Sequence, residues 1–142
     1  MRALFDVNVL IALHDRDHVH HLLAANWLES NIDQGWASCP LTQNGCLRIM
    51  SQPGYSSPQP LPMLMAMLQH STHSTVHKAW NDDISILDAK RFHHAHIHSH
   101  RQLTDLYLLG LAVKNKGRLV SFDQHIALSA VIGARPAHLV IL

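Results

Sequence analysis

Apolar residues occur along the chain in short blocks, and polar, glycine or proline punctuation separates them. "RALF" is a short apolar strand ended by Asp6, and a helix is predicted from Asn8. "HVHHLLAANWLESN" places Val19, Leu22 and Leu23 on one helical face with Trp27 following. "GWAS" is a second candidate strand behind Gly35. "CPLTQNGCLRIM" then opens a buried helix: Pro40 bends the chain, Thr42 can cap, and Cys46, Leu47 and Met50 recur at helical spacing.

The segment "SQPGYSSPQPLP" is dense in turn residues and reads as an internal loop, since neither side of it makes a good domain alone. "MLMAMLQHS" predicts a helix with Met63, Met65 and Met67 as core filling. "HSTVHKAW" is a candidate strand, and "DDISILDAKRFHHAH" a candidate helix beginning near Asp82. The clearest helix is "QLTDLYLLGLAVKNKG", with Thr104 or Asp105 at its start and Gly117 ending it behind Lys114 and Lys116. "RLVSF", ending at Asp123, and "AHLVIL" complete the strands. Strands alternating with helices predict an α/β fold with an open, mostly parallel sheet covered on both faces. Right-handed crossovers then bring the strand C-terminal ends to one edge, where such folds hold ligands.

Composition narrows the classes. At 142 residues the chain fits one domain, residues 1–142, and 47% hydrophobic with 15% charged residues indicates a packed globule. A formal net charge of +1 gives no electrostatic footprint of a passive nucleic-acid or membrane binder. The apolar run of "MRALFDVNVLIALHD" is too short for a signal peptide or membrane span, so a cytoplasmic protein without membrane attachment is expected. Cys39 and Cys46 form no CxxC and read as buried thiols. Of the 14 histidines, the local tract "RFHHAHIHSHR", covering residues 93–100, suits an exposed loop or helix face better than a dedicated metal site.

The candidate chemistry lies in aspartates. Asp6 and Asp123 each close a strand and therefore project at the same sheet edge. Asp105 begins the helix before the Asp123 strand; topology alone does not bring it to that edge, and a first-turn Asp also complements the helix dipole. Taken singly, each is an ordinary cap or turn residue.

Together, four segments resemble a family. "LFDVNVLIALHD" is similar to the first motif of PIN domains, "CPLTQNGCLRIM" to the second, "HRQLTDLYLLGLA" to the third and "GRLVSFD" to the fourth, in order and spacing, from about residue 2 to residue 125. The nearest subgroup is the VapC toxins of type II toxin–antitoxin pairs. The resemblance implies a three-layer α/β/α fold and a metal-dependent endoribonuclease, with Asp6, Asp105 and Asp123 holding Mg²⁺ or Mn²⁺. Clustered carboxylates repel one another unless a divalent ion neutralises them, and hard oxygens suit magnesium. Asn8 would orient Asp6 or cap the first helix, Thr104 would support the third motif, and Ser121 would hydrogen-bond a water or phosphate. Many members carry Glu in the second motif. This chain reads "LTQNG", so Gln43 takes the candidate catalytic place there as a neutral amide that cannot act as a base, and one ion or two both remain open. A fourth acid, if one is needed, must come from Asp82, Asp83 or Asp88, for which helix capping is the better explanation. Arg48, Arg101, Lys114, Lys116 and Arg118 are the basic groups available to guide RNA. The resemblance further implies a VapB-like antitoxin partner and a homodimer.

Two other readings compete. A PIN-like protein could bind RNA or an antitoxin without cutting. "FDVNVL" also approximates the start of haloacid-dehalogenase phosphatases, but Asn8 occupies the place of their acid and cannot protonate a leaving group.

Overall fold

In the computed structural model, which describes residues Met1–Leu142, five short strands form one sheet: β1 (Ala3–Phe5), β2 (Trp36–Ser38), β3 (His77–Ala79), β4 (Arg118–Ser121) and β5 (Leu139–Ile141). Their order is β3-β2-β1-β4-β5, and every neighbouring pair is parallel. Alternation along the pleat splits the core in two. Ala3, Phe5, Trp36 and Val120 face one cluster, while Leu4, Ala37 and Leu119 face the other. Helices α1 (Val7–His14), α2 (His21–Ser30), α3 (Pro40–Met50) and α4 (Leu61–Thr72) supply side chains to the first cluster. Helix α5 (Leu103–Lys114) supplies the second, so the predicted three layers are present.

The strand order has a functional consequence. From β1 the chain winds outward through β2 and β3, then crosses back to β4 on the other side of β1. The β1/β4 boundary is therefore the switch point, and ligands of open α/β sheets bind outside the strand C-termini at such a point. Asp6 follows β1, and Asp123 lies just beyond β4.

Local side-chain chemistry sets the starts of α1 and α3. The Asp6 carboxylate caps α1, accepting from the Val9 N–H at 2.8 Å. Asn8 is therefore not the cap that its sequence position allowed. Cys39 precedes α3, Pro40 stands in its first turn, and the Thr42 hydroxyl closes the end by accepting from the Cys39 N–H at 3.1 Å. Helix α5 ends at Lys114, and the left-handed residue after it is Lys116 (φ 55°), not Gly117. Gly117 is required for another reason: a Cβ there would lie 2.5 Å from the Trp80 ring and 2.6 Å from the Arg2 carbonyl.

Three sequence expectations need correction. Residues 82–96 do not form the expected helix; they run as turns with a short 3-10 segment at His94–His96. Ile84, Ile86, Phe92 and Ile97 pack against the α5 side of the sheet, and Phe92 bridges Val131. Helical spacing would not point these residues to one side, and tertiary packing decides the conformation. Second, Met63 and Met65 are exposed and Met67 is only partly buried; Leu64 and Leu68 fill the core instead. Third, Val19, Leu22 and Leu23 are exposed at the start of α2, where Ala24 is the buried residue. The tract at residues 93–100 lies on the surface apart from partly buried Ile97, as expected, with His93 and His96 rings 5.4 Å apart. No helix is long and apolar enough to cross a membrane.

Candidate active site

Asp6 is held 4% exposed at the C-terminal end of β1. Burial pushes its carboxyl above the usual aspartate range, and the charge of Asp123 adds to that; hydrogen bonds from the Ser121 hydroxyl and from the Val9 and Asn8 N–H groups oppose the rise. Ser121, fully buried on β4, also accepts the Asp123 N–H at 3.0 Å. One hydroxyl therefore ties the two strand-end aspartates together, and it faces them instead of open solvent. The Asp123 carboxylate turns back to accept the His125 N–H at 2.8 Å.

Asp105 joins them. Helix α5 runs antiparallel to the strands, so its first turn lies at the edge where β1 and β4 end; this direction supplies the topological placement that sequence reasoning had denied it. Its carboxyl is pushed up to about 7, first by burial, then by the charge of Asp6 and by hydrogen bonding and charge at Asp123.

The three aspartates divide between two adjoining hollows. The larger, about 210 Å³, is lined by Asp6, Asn8, Gly45, Arg48, Thr104 and Asp105 among others. The smaller, about 170 Å³, is lined by Arg101, Gln102, Asp105, Asp123 and His125 among others. Asp105 borders both. No ion pair involves any of the three; the two in the molecule join Arg91 to Asp88 and Lys114 to Asp83.

Gln43 stands elsewhere. Its amide donates to the Ser38 hydroxyl at 2.9 Å, and Ser38 Oγ lies 2.8 Å from His77 Nε2. His77 Nδ1 is 3.0 Å from the Thr72 carbonyl, which fixes Nδ1 as the protonated nitrogen and Ser38 as the donor to Nε2. The side of α3 bearing Gln43 lines a groove with Asn44, Leu47 and Leu68. Two residues on, a turn of roughly 200° brings Gly45 to face the carboxylates. The position within "LTQNG" that meets the hollow is therefore Gly45, which has no side chain to offer; a Cβ there would lie 2.7 Å from Val7 Cγ2. Sequence reasoning missed Gly45 because glycine carries no chemistry of its own to notice. Gln43→Ala is expected to cost about 0.5–1.5 kcal/mol of stability through the lost hydrogen bond, read as a lower urea midpoint. Mn²⁺ affinity, measured by titration calorimetry, should match the parent; a tenfold loss would return Gln43 to the ligand set.

The other candidates sort by position. Asp82 accepts from the Leu41 N–H (2.8 Å) at the start of α3 and from the Tyr107 hydroxyl (2.8 Å), Asp83 pairs with Lys114, and Asp88 accepts the Lys90 N–H at 2.9 Å. None of them joins the aspartate group, and Asp82 caps α3 in place of the helix expected to start at residue 82. Lys114, Lys116 and Arg118 lie at the opposite end of the sheet, where α5 ends and β4 begins. There the Arg118 guanidinium sits 4.8 Å from the Trp27 ring centroid and donates to Asn31. That removes all three from the neighbourhood of the aspartates.

The donor set suits a hard divalent ion: three carboxylates supply the oxygens, with neutral Asn8, Thr104 and Ser121 beside them and the arginines Arg48 and Arg101 on the hollow walls. No three His, Cys, Asp or Glu side chains close into a ready-made metal shell. Magnesium fits such an open arrangement, since it keeps several waters and commonly takes one or two protein carboxylates.

The sequence profile of the PIN domain matches residues 3–131. The chain belongs to the PIN-domain family. It is 51% identical to Ribonuclease VapC44 of Mycobacterium tuberculosis over 142 residues, all of both chains, and 38% identical to Ribonuclease VapC39 of the same species, covering 94% of this chain and 96% of that one. Among solved structures, the PIN fold is shared with VapC20 of M. tuberculosis, described as a sarcin-ricin loop cleaving toxin, at TM-score 0.61 and 13% identity over 94% of this chain and 99% of the other. A VapBC2 complex from Rickettsia felis bound to a promoter DNA fragment superposes with TM-score 0.58 at 12% identity, over 88% and 90% of the chains. With PIN membership the haloacid-dehalogenase alternative loses its basis.

Proposed function

We propose that this PIN domain is a Mg²⁺- or Mn²⁺-dependent endoribonuclease, the toxin of a VapBC-type pair. The observation that carries the reading is the convergence of Asp6, Asp105 and Asp123, unpaired and mutually repelling, at the switch point of the sheet. The names of the full-length relatives support RNA as the substrate.

Asp6, Asp105 and Asp123 would hold the ion. Bound there, Mg²⁺ or Mn²⁺ supplies positive charge to the phosphodiester and lowers the cost of forming hydroxide from water. The chain's own groups do the rest. Ser121 and the α1 N-terminus fix the Asp6 carboxylate, and the His125 N–H fixes that of Asp123. Asn8 and Thr104 line the hollow as neutral groups able to hydrogen-bond a phosphate oxygen without adding charge. Cleavage of single-stranded RNA is expected with Mg²⁺ or Mn²⁺ and absent with chelator. Asp6→Asn preserves the helix cap and should lower the rate by at least about two orders of magnitude. RNA binding without cleavage under any divalent ion would instead establish the non-cutting alternative.

A small VapB-like antitoxin is the expected partner. Exposed apolar side chains, Val19 and Leu22 by α2 and Leu61, Met63 and Met65 on α4, suit a protein interface. Co-purification with the product of the adjacent gene tests the pairing. A homodimer in the cytoplasm is the expected assembly, and a monomer at micromolar concentration in sedimentation would refute the dimer.

A further inference from the structure

A nuclease that gathers carboxylates at its centre repels the polyanion it must cut, so the cations that hold the strand have to stand off the centre. The two hollows place them there. The larger carries Arg48 of α3, and the smaller carries Arg101 from the 3-10 turn (His100–Gln102) leading into α5. Both arginines are exposed. Although each borders a hollow containing aspartates, neither guanidinium is in an ion pair. Four other basic groups are occupied: Arg2 donates to the Trp36 and Val76 carbonyls, Arg91 and Lys114 are in ion pairs, and Arg118 stacks on Trp27. Of all the lysines and arginines, Arg48 and Arg101 are the ones that line the two hollows bordered by the aspartates.

The wall contributed by α3 sharpens the point. Of its residues in the larger hollow, Gly45, Arg48 and Ile49, only Arg48 has a polar side chain. Close packing on Val7 keeps the Gly45 position bare. The polar side chain that α3 brings to this hollow is thus a cation, not a fourth acid.

We propose, resting on the ribonuclease reading, that Arg48 and Arg101 grip the two phosphates flanking the scissile one, so that single-stranded RNA crosses Asp105 with one flanking phosphate in each hollow. A guanidinium can fork onto two phosphate oxygens, whereas a lysine offers only a point charge. Charge and geometry therefore leave separate signatures.

The test measures binding in the Asp6→Asn chain, by fluorescence anisotropy of a labelled single-stranded RNA across a salt series with Mg²⁺ held constant. Arg48→Ala and Arg101→Ala should each flatten the slope of log affinity against log salt by about 0.7, and the double variant by about 1.4. Arg48→Lys should keep the slope but lose affinity. Lys116→Ala, at the far end of the sheet, should change neither. A double variant with the parent's slope and affinity overturns the clamp and leaves the nuclease reading standing. A wild-type chain that neither binds nor cleaves RNA with Mn²⁺ fails the nuclease reading and takes the clamp with it.

Discussion

In chelator at pH 8, Asp105→Asn is expected to melt at a higher temperature than the parent while being the far weaker nuclease. The sign follows from the direction of the shift. The folded carboxyl sits at about 7 against an ordinary value of 3.8. Below the ordinary value both folded and unfolded chains are protonated, and Asp105 costs nothing. As pH rises from there to about 7, the unfolded chain ionises first and the fold loses stability; above 7 the full penalty stands. The span of the shift corresponds to about 4 kcal/mol. Asp105 is only half-buried, and solvent screening reduces this to about 1–2 kcal/mol, or roughly 3–8 °C in melting temperature. The gain of the Asn variant should vanish near pH 4, where the parent carboxyl is protonated. Added Mn²⁺ should raise the parent's melting temperature by mass action and the variant's much less. Differential scanning fluorimetry over pH and Mn²⁺ concentration reads all of this. A variant less stable than the parent at pH 8 in chelator would mean that Asp105 is structural, as Asp82 is. RNA cleavage by the variant should fall by about 10²–10⁴-fold.

This coupling of instability to function was only partly legible in the sequence. Asp6 and Asp123 could be read directly, because each ends an apolar strand and parallel strands share an edge. Asp105 required the direction of α5, which runs back from the edge where β1 and β4 end. Gln43 was conspicuous as an amide where many PIN domains carry Glu, yet helix rotation gives it to Ser38 and His77 and gives the hollow to Gly45. Residue type identifies candidate chemistry, but orientation within a helix depends on which face is buried, and "LTQNG" is too mixed to declare one. The basic residues show the same limit. Arg48 and Lys116 look equally suited to RNA in the sequence, yet they lie at opposite ends of the sheet.

The largest misreading, the helix over 82–96, points to the most destabilising substitution outside the site. That segment has no regular structure to hold it, and Phe92 anchors it, 1% exposed, against α5. Its socket exists because position 110 is glycine: a Cβ there would lie 2.5 Å from Phe92 Cζ and 2.8 Å from Cε1. Glycine within a helix costs about 1 kcal/mol relative to alanine, and here ring contact explains its presence. Phe92→Ala should therefore lose about 3–5 kcal/mol, visible as a drop in urea midpoint. Gly110→Ala should lose about 1–3 kcal/mol by overpacking, despite its better helix propensity. The two sites touch, so their effects should not add. In a Phe92→Leu background the smaller side chain vacates part of the socket, and Gly110→Ala should become nearly neutral or stabilising as propensity reasserts itself. A double-mutant cycle from urea denaturation measures this, and strictly additive losses would show that Phe92 does not depend on the bare surface of α5. Because α5 also presents Asp105 at its first turn, metal affinity in the single variants should follow stability only when the helix itself shifts. Unchanged Mn²⁺ binding in Phe92→Leu, alongside a lowered urea midpoint, would locate the damage in the segment and leave the carboxylate edge intact.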